Sequence, residues 1–263
     1  MVNKKNETAL AAAPEVDDSL AAAAAADLSL EVSNEIPDFI QKGDREGADQ
    51  IAAEDARIPR LVLAQAQTPQ AMRGDPVYID GLAAGMAFND LTNVVYGEAP
   101  LEVIVVRADK PRWVEFGDDR SVIDPSVPPG DLRTQFTTDP ETKKRIPPKA
   151  TMFYDYVVLL GPQMEPLALS FKGSAIKLSA RPLNGLIKMK PVPIYACKYR
   201  FTPRFMKNDE GTWYVFNVAQ IGVLKNQETF QKAKEQFNIF KLKDVSFDVE
   251  HPDTDAPEDG SGI

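Results

Sequence analysis

Nine basic residues and no acidic one fall in residues 166–208: Lys172, Lys177, Arg181, Lys188, Lys190, Lys198, Arg200, Arg204 and Lys207. Phe171, Tyr195, Tyr199, Phe201 and Phe205 are interleaved with them. Cations in a row neutralise a phosphate backbone, and aromatic faces stack on unpaired bases. The combination is the chemistry of single-stranded nucleic-acid binding. Nine like charges repel one another unless they are solvated or neutralised by a polyanion. Further basic candidates are Lys143, Lys144 and Arg145, and further stacking candidates are Trp113, Trp213 and Tyr214. Each reading has a plain structural rival. A charge run also makes a solvated face, and an aromatic stripe beside Cys197 also makes a core.

Other chemistries find little support. The chain has one cysteine, Cys197, and one histidine, His251. No intramolecular disulfide can form, and a Cys/His zinc site lacks ligands. A histidine-dependent nucleophile would have to use His251, which sits in an acidic, proline-containing tail where a general base is poorly held. Asp118, Asp119 and Asp124 would be the carboxylates of a divalent-metal nuclease, but no motif orders them. Lys172-Gly173-Ser174 ends like a phosphate-binding loop without the upstream glycine spacing. The expectation is therefore a non-enzymatic protein with no catalytic residue, no metal and no cofactor. No apolar run approaches the length of a membrane span, and the absence of disulfides fits a reducing cytoplasm.

Net charge is −9 over 263 residues, with 43% apolar and 26% charged residues. The charge is partitioned. Residues 1–55 hold 4 basic and 13 acidic residues, net −9, and residues 246–263 hold no basic and 6 acidic residues, net −6. Residues 56–245 keep 26 basic against 20 acidic residues, net +6. The Ala-rich, aromatic-poor first segment has the composition of a disordered arm, and the last segment that of a disordered acidic tail. Between them lies one folded domain.

The elements that must position the candidates can be read in order. Leu101-Glu102-Val103-Ile104-Val105-Val106-Arg107 is a strand, and Arg112-Trp113-Val114-Glu115-Phe116 alternates as a second. Residues 117–149 read as a long loop carrying Lys143-Lys144-Arg145. Residues 151–160 form the next strand, returning through Leu167-Ala168-Leu169-Ser170-Phe171. Ser174 is placed to cap a short helix with Ile176, Ala180, Leu183 and Ile187 on its apolar side, limited or kinked by Pro182. Residues 194–200 alternate as a strand, with Tyr195, Cys197, Tyr199 and Phe201 on one face and Lys198 and Arg200 on the other. Residues 212–219 pair with it as a hairpin. Residues 227–240 predict an amphipathic helix with Phe230, Ala233, Phe237 and Phe240 on one stripe.

The fold expected is mostly β (α+β): an OB-like Greek-key barrel with a short helix between its third and fourth strands and a C-terminal helix. Ile58-Pro59-Arg60-Leu61, Phe88-Asn89-Asp90-Leu91-Thr92, Val95-Tyr96-Gly97, Lys172-Gly173-Ser174 and Gly211-Thr212-Trp213-Tyr214 carry a resemblance. Over roughly residues 58–240 the chain resembles a family of phage-encoded single-stranded DNA-binding proteins. The resemblance implies work in phage DNA replication or recombination in the host cytoplasm, with single-stranded DNA as partner and no catalytic residue. It also implies that the acidic tail recruits replication or recombination proteins. The tail departs from the common pattern by ending Gly260-Ser261-Gly262-Ile263 without a terminal aromatic. Oligomerisation is left open. A phage structural or host-interaction protein is the competing class.

Overall fold

Valine and isoleucine fill the run that becomes β4 (Leu101–Ala108), and it is apolar on both faces because both are covered. Val103 and Val105 look into one core, and Ile104 and Val106 into another. The same holds for β9 (Ala150–Leu160), where Tyr156, Val158 and Leu160 face the first core and Val157 and Leu159 the second. A strand that alternates apolar and polar residues is half-solvated; these two are not.

The computed structural model describes residues 57–242, except 120 and 210. They fall within one of the chain's two compact units, Ile51–Ile263. The acidic arm and tail read from the sequence, and His251 with them, lie outside the described residues. The remaining strands are β1 (Leu61–Leu63), β2 (Ala87–Asn89), β3 (Val95–Gly97), β5 (Arg112–Phe116), β6 (Val122–Val127), β7 (Thr137–Thr138), β8 (Arg145–Ile146), β10 (Glu165–Lys172), β11 (Cys197–Asn208) and β12 (Gly211–Val223). The helices are α1 (Arg181–Met189) and α2 (Gln227–Leu242). The protein is mostly β. Among the described residues a seven-stranded antiparallel sheet runs β12-β11-β4-β9-β5-β6, with β10 on the other edge of β9. β4 and β5 pair with successive stretches of the same strand, Tyr156 to Leu160 and Ala150 to Phe153 of β9.

Helix α2 lays the predicted stripe on the second core. Tyr195 sits between Phe230 and Phe237, with ring centroids 5.4 and 5.0 Å away. Leu183 of α1 is fully buried against the first core. The turn before α1 is a π-helix, Ile176–Ala180, whose closing bond runs from the Arg181 N–H to the Ile176 carbonyl, five residues back. Pro182 follows at once. It has no N–H to give and its ring crowds the preceding turn, so the wider turn ahead of it accommodates the proline. Ser174 does not cap this helix: its hydroxyl is buried and makes no hydrogen bond among the described residues.

Three expectations are corrected. The sheet does not close into a barrel. The segment 57–97 instead bonds to β10 through a backbone bridge and the side chains of Asn89 and Tyr96, and to β12 through Gln65. The Ala168 N–H donates to the Pro59 carbonyl at 2.8 Å. The Gln65 amide clamps Tyr214 from both sides, donating to its carbonyl at 3.1 Å and accepting from its N–H at 2.8 Å. Second, residues 117–149 are not an open loop. Arg133 ties them together, reaching Glu115 at 2.7 Å, Asp124 at 3.0 Å and Asp131 at 2.9 Å. Its hydrogen bonds push the Asp131 carboxyl down to about 2. Third, Ile194–Ala196 is a 3-10 turn, and the strand begins at Cys197. Tyr195 therefore belongs to the second core, not to the face of Tyr199.

Candidate nucleic-acid interface

The β11–β12 hairpin turns at Asn208 and Gly211 and projects past the start of β4, whose Leu101 pairs with Phe201. Phe205 and Tyr214 face each other across this projecting part, edge to face, with centroids 5.4 Å apart. Phe205 is 53% exposed. Arg204 and Lys207 flank it, both exposed and without an ion pair among the described residues. Tyr214 is set from behind by Gly85. That residue has φ +89, and a Cβ there would lie 2.6 Å from the tyrosine ring.

The basic helix abuts the same strand. The Ser179 hydroxyl donates to the Phe216 carbonyl at 2.6 Å, two residues along β12 from Tyr214. Arg181, Lys188 and Lys190 on α1 and at its end are exposed and make no ion pair among the described residues. Lys172 ends β10 and is half-buried, while Lys177 lies exposed in the π turn. Both have interactions of their own within the chain and are not counted as free cations.

Lys198 and Arg200 occupy the solvent face of β11, as the alternation predicts, but they are not free. The register of β11 on β4 brings Glu102 opposite Arg200. Its carboxylate accepts from Lys198 Nζ and from Arg200 Nη2, each at 3.3 Å. The Arg200 bond, then the Lys198 bond, hold the Glu102 carboxyl below its usual range. One carboxylate thus offsets one of two cations.

Five stacking candidates fall away, because Phe171, Tyr195, Tyr199, Phe201 and Trp213 are all buried. Tyr199 is 1% exposed, packed in the first core, and burial drives its phenol pKa upward. Trp213 is 7% exposed, and its indole N–H is buried without a partner among the described residues. None of these rings presents a face to a base. The other candidates form a second group at the far end of the sheet. Trp113, half-buried on β5, lies between Met152 and Val127. Lys143, Lys144 and Arg145 belong to the β7–β8 hairpin. Its turn is set by Asp139, whose carboxylate accepts the N–H groups of Glu141 and Thr142, and by Lys143 at φ +56. The Arg145 guanidinium stacks 3.7 Å above the Phe136 ring. The candidates therefore divide between the β11–β12–α1 edge and the β5–β8 end.

A family model described as Pam3 phage gp34-like protein matches residues 29–246. The chain belongs to this family. It is a phage protein on that ground, and the match extends from the acidic region through every described residue. No curated protein and no solved structure matches the chain. In this chain the motifs quoted above have structural work. Asn89 donates to Glu165 at 2.8 Å and accepts from the N–H groups of Leu91 and Thr92. Asp90 accepts from the Arg60 N–H and Nε, each at 2.6 Å. Among the described residues no group of histidine, cysteine or carboxylate side chains is placed to hold a metal ion, and no helix is long and apolar enough to cross a membrane.

Three residues escaped sequence reasoning. Glu102 was invisible because its partners depend on strand register. Gln65 clamps a residue 149 positions away. Gly85 was one glycine in a glycine-rich stretch, and only its approach to Tyr214 singles it out.

Proposed function

We propose that this phage protein binds single-stranded DNA with little sequence preference, in phage replication or recombination. One observation carries the reading: an exposed aromatic, Phe205, and the exposed Lys207 share one face of the hairpin tip, next to a helix that bears Arg181 and Lys188 and ends at Lys190, and these cations make no ion pair among the described residues. Phosphates would lie along Arg204, Lys207, Arg181, Lys188 and Lys190, and a base would stack on Phe205. A flexible backbone with splayed bases can satisfy both, whereas a duplex keeps its bases stacked inside. The role is binding without catalysis. The acidic tail, residues 246–263, acts as a competing anion for the same cations or recruits replication proteins.

Fluorescence anisotropy with labelled oligo-dT and with duplex DNA tests the reading at low and moderate salt. Micromolar or tighter binding to the single strand, weaker on the duplex, supports it. No binding to either at low salt overturns it.

One observation favours a second reading, a phage structural or host-interaction protein. Ile123, Leu132, Phe136 and Ile146 are exposed apolar residues at the β5–β8 end, Leu132 at 78%. Large apolar side chains left exposed along this stretch suit a protein partner. Pull-down by this end with no DNA binding would favour it over the first reading.

A further inference from the structure

Every edge of a sheet is a row of free N–H and C=O groups, and proteins block such rows with charge, proline or a covering segment. The edges here differ. β6 carries Asp124 and Pro125, and its pairing with β5 is irregular. The edge of β10 is covered at Ala168 by Pro59 and Arg60. Among the described residues β12 is covered only in its first half, where Gln65 takes both backbone groups of Tyr214 and Ser179 takes the carbonyl of Phe216. Those bonds fix which residues point outward. By alternation the N–H and C=O groups of Val218 and Gln220 also point away from β11, and they have no backbone partner among the described residues.

The sequence offers no gatekeeper there. Residues 212–224 contain no charged residue and no proline, in a chain that is 26% charged. Asn217, Ala219, Ile221 and Val223 alternate as exposed residues along the open half. A strand from an ordinary soluble partner would bring charges to this neutral row. A second copy of the same strand brings none, and it is available wherever the protein is.

We propose that the free half of β12 pairs antiparallel with the same half of a second copy, about a two-fold axis at Ala219. Val218 of one chain then lies opposite Gln220 of the other, and each such pair exchanges two hydrogen bonds. The alanines meet as the close, non-hydrogen-bonded pair, where their small side chains fit. The contact is isologous and closed, so it stops at a dimer and joins two seven-stranded sheets into one.

Sedimentation velocity on the full chain, from about 1 to 100 μM, tests this. The wild type should form a two-chain species. Ala219→Arg sets a guanidinium against its own copy and should weaken dimerisation on the order of tenfold. Because Ala219 is exposed, the melting temperature should hold when wild type and variant are compared at a concentration where both are monomers. Ala219→Cys should give a covalent dimer under mild oxidation, since residues of a close antiparallel pair lie within disulfide reach. The wild type, with Cys197 buried, should not crosslink. A wild-type monomer throughout that range overturns the proposal, whether the edge is bare or covered by residues 1–56. So does a dimer that Ala219→Arg leaves intact and Ala219→Cys fails to crosslink.

Discussion

Glu102 is the residue whose removal should improve binding. It holds Lys198 and Arg200 at 3.3 Å on an exposed face. Five cations of the proposed footprint make no ion pair among the described residues: Arg181, Lys188, Lys190, Arg204 and Lys207. If each meets one phosphate, the logarithm of affinity falls with the logarithm of salt at a slope of about −3.5, taking roughly 0.7 per contact on a single strand. Raising salt from about 50 to 200 mM then weakens the wild type about a hundredfold. Glu102→Gln removes the competing charge and so adds one net cation to the face. The slope becomes about −4.2, and the same salt step costs roughly a few hundredfold. The fold should barely respond, because exposed ion pairs are worth only about 0–1 kcal/mol. Anisotropy with oligo-dT across a salt series reads the slopes, and a thermal melt checks the fold. Tighter low-salt binding with a steeper slope is the expected result. Equal slopes in wild type and variant would refute any extension of the DNA path onto the Lys198–Arg200 face of β11.

Other perturbations follow from the same geometry. Phe205→Ala should weaken oligo-dT binding by about 1–3 kcal/mol without changing the salt slope, because it removes a stack and no charge; a changed slope with unchanged affinity would contradict the stacking role. Gly85→Ala imposes a side chain at φ +89 and drives a Cβ into the Tyr214 ring. Differential scanning calorimetry should show a loss of about 2–3 kcal/mol, with a melting temperature unchanged within about a degree as the contrary result. Deleting residues 246–263 should tighten DNA binding, and unchanged affinity would remove the tail as a competing anion. The Tyr96 phenol is pushed up to about 12, first by burial and then by the negative charge of Glu165. Its neutral form is favoured in the fold, so its contribution is full below pH 10 and is lost as pH rises towards 12. An alkaline absorbance titration of Tyr96→Phe should lack one late-ionising tyrosine; an unaltered curve would contradict that assignment.

The parts of the fold legible in the sequence are those where local pattern and burial coincide. Cys197 to Phe201 alternates because β11 has a core on one side and water on the other. The phenylalanine stripe of α2 recurs at helical spacing because one face meets the sheet. Residues 117–149 defeated pattern reading because their strands are short and mostly exposed. What orders them is Arg133, bonded to acids on three different segments, and no periodicity encodes that. The site was legible in charge and illegible in exposure. The acid-free segment coincides with strand β11 and helix α1, where the exposed cations lie, yet Tyr199 and Phe205 look alike in sequence. They differ only because β4 ends beneath one and not the other. Register also decided that Glu102 should spend itself on Lys198 and Arg200.

The Gln65 clamp has a consequence in time. It joins residues 149 positions apart, and the Pro59–Ala168 bridge joins residues more than a hundred apart. During synthesis the 57–97 segment leaves the ribosome well before β10 and β12 exist, while the β9–β10 and β11–β12 hairpins close on neighbours made moments earlier. The segment that completes the first core must therefore wait, with Leu61 and Ala87 uncovered. Its docking becomes a late event in folding, and the edge it covers is the last to be sealed.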